Sequence, residues 1–131
     1  FIGNPTTNFV NAKFEKGMLH FGENCCISIK ESDEKLLEGY EGKEIILGIR
    51  PENIYLAKDE TIKSKTETFK FTCDFVELLG FELAVYFKND DRELIMKIPS
   101  DNKVRPEDEV EICFDKNKLM FFDMETQKRI K

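Results

Sequence analysis

Alternation with period two runs along most of the chain. In TFKFTCDFVELLG, Phe69, Phe71, Cys73 and Phe75 share one parity, with Lys70, Thr72 and Asp74 on the other. Leu83, Val85 and Phe87 repeat the pattern in ELAVYFK, as do Leu94, Met96 and Ile98 in RELIMKIP and Val110, Ile112 and Phe114 in DEVEICFD. Such alternation predicts half-buried antiparallel strands. Asn89-Asp90-Asp91 predicts a hairpin turn between two of them, and Pro99 closes the third. Earlier in the chain, NFVNAKFE and GMLHFGE predict a hairpin around Lys16-Gly17, and CCISIK and KEIILGI read as further strands. SDEKLLEGY breaks the alternation. A cap at Ser32 or Asp33, an apolar side at Leu36 and Leu37, and a stop at Gly39 predict one short helix near residues 32–38.

Many short strands and one helical turn predict an all-β domain. Small barrels remove exposed sheet edges by closing, so the expected architecture is an OB-like small barrel, or barrels, of short antiparallel strands. Residues 57–67, AKDETIKSKTE, are polar and charged. They read as a loop joining two β-rich halves, 10–56 and 68–131.

Composition narrows the function. The chain has 131 residues, enough to bury a core without disulfides or metals. Twelve Phe and no Trp predict a Phe-rich core. The net charge of −6 opposes binding to a phosphate backbone, and the densest basic segment is only Gln127-Lys128-Arg129-Ile130-Lys131. Nucleic acid is therefore not an expected partner. Cys25, Cys26, Cys73 and Cys113 contain no CxxC pair, and His20 is the single histidine, so no zinc spacing can be written. Reduced thiols serving as small apolar residues are expected, with Cys25 and Cys26 on opposite faces of a strand. No apolar run approaches the roughly 18–20 residues that span a bilayer. The opening FIGNP reads as a junction inside a longer protein.

Few residues suggest chemistry. GxxxxGK[ST], GxGxxG and GxSxG are all absent. His20 lies among apolar neighbours in MLHFG and reads as structural. The acidic pairs at Asp33-Glu34, Asp90-Asp91 and Glu107 to Glu109 fall in turn-like segments and read as solvated surface. Catalytic, cofactor and metal residues are expected to be absent. The tripeptide Arg50-Pro51-Glu52 ends a strand: Pro51 has no amide hydrogen, and it drives Arg50 toward extended backbone. A type I turn or single helical turn is expected there, with Arg50 and Glu52 as its free side chains. Arg105-Pro106-Glu107 precedes a strand instead, so the two copies are not one motif used twice.

Four stretches are familiar in combination. FIGNPTTNFV resembles the junction at which the ATPase domain of sugar-importer ATP-binding subunits passes into the C-terminal regulatory domain. LGIRPENI, VELLGFELAVYF and VEICFDKNKLMFFDMETQKRI resemble that family's later motifs, in the family's order, and together they bracket nearly the whole chain. The family is the maltose/multiple-sugar type of ABC importer ATPase, whose C-terminal part is a TOBE-type domain of OB-like β structure. The chain departs from the usual pattern at Asn53, often His there, and at Thr7, often Met.

The resemblance implies that residues 1–9 are the junction from a missing N-terminal ATPase domain and 10–131 the regulatory domain. It implies no enzyme activity for this stretch, with ATP and Mg²⁺ expected only in the missing domain and no cofactor here. It implies a non-catalytic regulatory and dimerisation role that couples subunit association and regulatory signals to ATP-driven sugar uptake. The partners implied are a second copy, membrane permease subunits and a regulatory protein, at the cytoplasmic face of the cell membrane. The alternative is an oxyanion- or small-ligand-binding TOBE module of the molybdate-importer type, although its Ser-Ala-Arg-Asn type motif is absent. The candidate interface and regulatory residues are Arg50, Pro51 and Glu52, then Glu77, Leu78, Leu79 and Gly80, then Phe122 and Asp123.

Overall fold

The computed structural model describes residues 7–88 and 94–131. Among the described residues ten strands form in order: β1 (Asn8–Glu15), β2 (Met18–Phe21), β3 (Cys25–Ser28), β4 (Glu44–Ile49), β5 (Ile54–Leu56), β6 (Phe69–Leu79), β7 (Glu82–Phe87), β8 (Leu94–Pro99), β9 (Glu109–Phe114) and β10 (Met120–Asp123). They make two five-stranded antiparallel sheets, β10-β4-β1-β2-β3 and β5-β9-β6-β7-β8. The all-β, OB-like expectation holds. The sheets exchange strands across the 57–67 loop: β5 pairs with β9, and β10 pairs with β4. Asn8 and Phe9, assigned to the junction by the sequence, already belong to β1.

The core is one cluster fed by both sheets. Its aromatic centre joins Phe21 of the first sheet to Phe69 and Phe114 of the second, with ring centroids 5.3 and 6.0 Å away. Phe69 and Phe114 meet edge to face at 5.0 Å, a geometry in which a positive ring edge meets a negative face. β4 is buried on both faces over Ile45–Ile49. Ile45, Leu47 and Ile49 join the core, while Gly48 lies under Phe122. A methyl group at Gly48 would stand 3.0 Å from the Phe122 ring.

The sheets are also tied at their edges. Asn8 donates to the Ile95 carbonyl at 2.8 Å and accepts from its amide at 2.9 Å, which satisfies backbone groups of edge strand β8. The 57–67 loop is pinned as well. Thr66 N–H donates to the Phe114 carbonyl, and the Phe114 amide donates to Thr66 Oγ1. Glu67 accepts from Ser28 N–H and hydroxyl, both at 2.8 Å.

Three expectations change in detail. The helix α1 spans Glu31–Leu36, capped by Lys30 with no side-chain bond and ended at Leu37 rather than Gly39. A 3-10 turn at Glu38–Tyr40 follows it. Neither Ser32 nor Asp33 caps it, because the first turn bonds to the Lys30 carbonyl. Phe75 does not share the inward face of Phe69, Phe71 and Cys73. The register slips between Cys73 and Phe75, and a bulge of this kind reverses side-chain parity downstream. Val76 takes the inward place, opposite Val85. The hairpin turn expected at Asn89-Asp90-Asp91 lies outside the described residues.

Candidate functional site

The first Arg-Pro-Glu forms as its chemistry dictates. Arg50 is extended (φ −77°, ψ 150°), and Pro51–Asn53 make one 3-10 turn closed by Asn53 N–H to the Arg50 carbonyl at 2.9 Å. Pro51 is buried, whereas Arg50 and Glu52 are exposed. The second copy serves the bulge. Glu107 (φ 73°) donates its amide to the Cys73 carbonyl, and Cys73 donates to the Asp108 carbonyl. The Glu107 carboxylate holds Lys88 at 2.7 Å, and this bond keeps the Lys88 ammonium above its usual pKa.

Glu77, Leu78 and Leu79 end β6, and Gly80 opens the turn at the tip of the β6–β7 hairpin. The tip is apolar and bare. Phe81 is 92% exposed, Leu78 67%, Phe75 45% and Leu79 42%, and these are the exposed large hydrophobics of the described residues. Phe75 stacks on Tyr86 at 4.2 Å, and the Tyr86 hydroxyl donates to Glu77. Cross-strand register places Phe75, Tyr86 and Ile95 in one outer row and Glu77, Ala84 and Lys97 in the next. The sequence did single out the Glu77–Gly80 segment, but it read Phe75 as core and passed over Phe81.

Phe122 and Asp123 sit apart from that hairpin, at the end of β10. Phe122 packs edge-on against Phe9 at 5.6 Å. Asp123 organises the C-terminal turn by accepting from the amides of Glu125 and Thr126 and from the Tyr40 hydroxyl, each at 2.9 Å. The Thr126 amide and the Tyr40 hydroxyl hold the Asp123 carboxyl below its ordinary pKa, and the same bond pushes the Tyr40 phenol up. These contacts are structural anchors.

The remaining reactive groups are quiet. All four cysteines are free thiols, and burial raises the pKa of each, away from the nucleophilic thiolate. His20 is exposed, opposite Lys13 and Cys26 on the outer sheet face, rather than packed among apolar neighbours. Among the described residues no group of three or more His, Cys, Asp or Glu could hold a metal ion, and no helix is long and apolar enough to cross a membrane.

Fold and surface together describe an OB/TOBE-type module. The MalK OB fold domain matches residues 3–54 and the TOBE domain matches residues 47–122, so the chain belongs to the TOBE domain family. The oligosaccharides import ATP-binding protein MsmX of Bacillus subtilis is 38% identical over all of this chain and 36% of its own length. The trehalose/maltose import ATP-binding protein MalK of Thermococcus litoralis is 35% identical over 99% of the chain and 36% of its own length. The multiple sugar-binding transport ATP-binding protein MsmK of Streptococcus mutans is 33% identical over all of the chain and 35% of its own length. The chain thus spans about a third of these relatives. It corresponds to their C-terminal TOBE/OB region, not to the catalytic ATPase domain. The cytoplasmic molybdate-binding protein ModG superposes with a TM-score of 0.68 over 87% of this chain and 94% of its own, at 11% identity. That likeness is one of fold.

Proposed function

We propose that this domain is the non-catalytic regulatory and dimerisation part of an ATP-binding subunit of a carbohydrate importer. It works at the cytoplasmic face of the membrane and holds two copies together while the subunit's ATPase domain and the permease pass through their cycle. ATP and Mg²⁺ belong to that ATPase domain, since GxxxxGK[ST] is absent from this sequence. Coupling arises from contacts that differ between two global states rather than from chemistry.

The observation that carries this reading is the bare apolar hairpin. Taking about 200 Å² for a whole aromatic side chain, Phe75, Leu78, Leu79 and Phe81 together present roughly 450 Å² at their exposures. A standard interface buries about 800 Å² per partner, of which roughly 57% is apolar; Phe75 and Leu79 contribute to that share from the outer face, and Phe81 and Leu78, the latter on the parity of Val76, contribute at the tip. The proposed contact sets this outer face against the same face of a second copy. A two-fold axis along β7 sets the Phe75–Tyr86–Ile95 row on its own copy and places Glu77 opposite the partner's Lys97.

Sedimentation of the chain with Phe81→Ser and Leu79→Ser tests the reading. Weakening of self-association by at least about tenfold is expected, with unchanged melting at low concentration. An unchanged dimer fraction in both variants would sink it. Arg50→Ala is the companion measurement, and loss of dimer there would move the interface to the Arg-Pro-Glu turn.

A further inference from the structure

The hollow between the Arg50 turn, the turn before β10 and the C-terminal segment has no part in the hairpin. It measures about 180 Å³, well beyond the roughly 10–15 Å³ that one water requires. Arg50, Lys118 and Arg129 line it, together with Asn53, Asn117, Leu119 and Met120.

Its charge is anomalous for this chain. Asp and Glu outnumber Lys and Arg by 26 to 20, yet no lining residue is a carboxylate. The four ion pairs among the described residues are Lys13–Glu15, Lys35–Glu31, Lys70–Glu109 and Lys88–Glu107, and none uses the hollow's cations. Asp115, two residues before Asn117, is turned instead to the Asn117 amide and the Ser64 hydroxyl. The three cations are held by fixed backbone. Arg50 precedes the Pro51–Asn53 turn, Lys118 ends the 3-10 turn Lys116–Lys118, and Arg129 bridges to Phe122 beside β10. Like charges brought together without an internal counterion repel one another, and an anion removes that cost.

We propose that this hollow binds a compact organic phosphate, a monoester whose phosphate group rests on Arg50, Lys118 and Arg129. Two guanidinium forks suit the paired oxygens of a phosphate, and Lys118 adds a point charge. The volume exceeds what a bare oxyanion fills. Asn53 brings a side-chain donor and acceptor to hydroxyl groups, Asn117 adds its carbonyl oxygen while its Nδ2 donates to Ser64 at 2.8 Å, and Met120 offers an apolar surface to the carbon skeleton. Three cations are too few for a nucleic-acid strand. The site extends the regulatory reading, since binding there bridges β4, β10 and the chain's C-terminal segment.

Amide chemical-shift titrations of the 131-residue chain with inorganic phosphate, sulfate, glucose 6-phosphate and glucose test it. The expected result is saturable shifts confined to residues 50–53, 117–120 and 129–130. Glucose 6-phosphate binds more tightly than phosphate, glucose leaves the spectrum unchanged, and added salt weakens binding. Arg50→Ala with Arg129→Ala weakens the ester by at least about tenfold, and Arg50→Lys falls between. Should the double variant lose its dispersed spectrum, Lys118→Gln, on an exposed turn, is expected to weaken binding by roughly threefold. Shifts spread evenly over all basic residues, no saturation, or affinity unmoved by these substitutions would overturn the proposal. Inorganic phosphate or sulfate binding as tightly as the ester would overturn the monoester assignment. Sedimentation of the same samples reads assembly separately, so failure of one reading is distinguishable from failure of the other.

Discussion

Two hairpins of the described residues turn through two-residue loops and are finished differently. β1–β2 turns through Lys16 (φ 53°) and Gly17 (φ 75°), the positive pair of a two-residue turn. Its tip is polar and tied down. Lys16 N–H donates to Glu41 at 3.0 Å, and Glu34 of α1 packs against the open face of Gly17. β6–β7 turns through Gly80 (φ 64°) and Phe81, and nothing lies within 4 Å of where a Gly80 side chain would begin. One hairpin closes onto its own domain. The other carries four large apolar side chains into solvent. Strand pairing alone does not separate them; the partner available to each tip does. A tip that leaves this much apolar surface in solvent is the feature on which the proposed association rests.

The largest test of that contrast is a matched pair of truncations. Leu19 in β2 is fully buried, whereas Leu78 in β6 is mostly exposed. Leu19→Ala is expected to cost about 2–5 kcal/mol in denaturant unfolding, against about 0.5 kcal/mol or less for Leu78→Ala in the monomer. Similar losses at both sites would erase the distinction between anchored and free hairpins.

Next come the turn glycines. Gly17→Ala meets both the positive φ and the Glu34 carboxylate, while Gly80→Ala meets only the φ penalty. Costs of about 2 and about 1 kcal/mol are expected in thermal or chemical melts. An equal cost would show that Glu34 moves aside freely. Gly48→Ala is a control inside the first sheet. Its new methyl meets the Phe122 ring, and overpacking of about 1–3 kcal/mol is expected.

The smallest effect belongs to Asp33, the α1 residue before Glu34. Its Oδ2 is buried without a hydrogen-bond partner, and burial raises its carboxyl pKa against the pull of Lys30. A raised native value means that the folded state holds the proton more tightly than the unfolded chain. Asp33 therefore favours folding most below its unfolded pKa, and that contribution is lost as pH rises through the native value. Asp33→Asn is expected to flatten this slope and to stabilise slightly at neutral pH. An unchanged pH profile of the melting temperature would rule out the effect.

Much of the architecture was legible because short-range rules governed it. Alternation located the strands at Phe69, Leu83, Leu94 and Val110, and Lys16-Gly17 announced its turn. Pro51 stopped β4 because it has no amide hydrogen to give. The site was legible in outline only. Glu77 to Gly80 were identified by resemblance, but their exposure was not readable from it. FVELL carries apolar residues at both parities, so no periodicity says which set faces inward.

What the sequence determined by itself is local: strand content, the Arg-Pro-Glu turn, the reduced cysteines and the TOBE-type signature. These depend on residues a few positions apart. Tertiary structure decided the rest. The bulge beside Cys73 forms where β6 leaves β9 for β7 and where Glu107 and Asp108 supply its hydrogen bonds. That slip of register turned Phe75 outward and completed the apolar tip with Phe81. The convergence of Arg50, Lys118 and Arg129 likewise required β10 to return beside β4. Both features join residues tens of positions apart, and only packing brings them together.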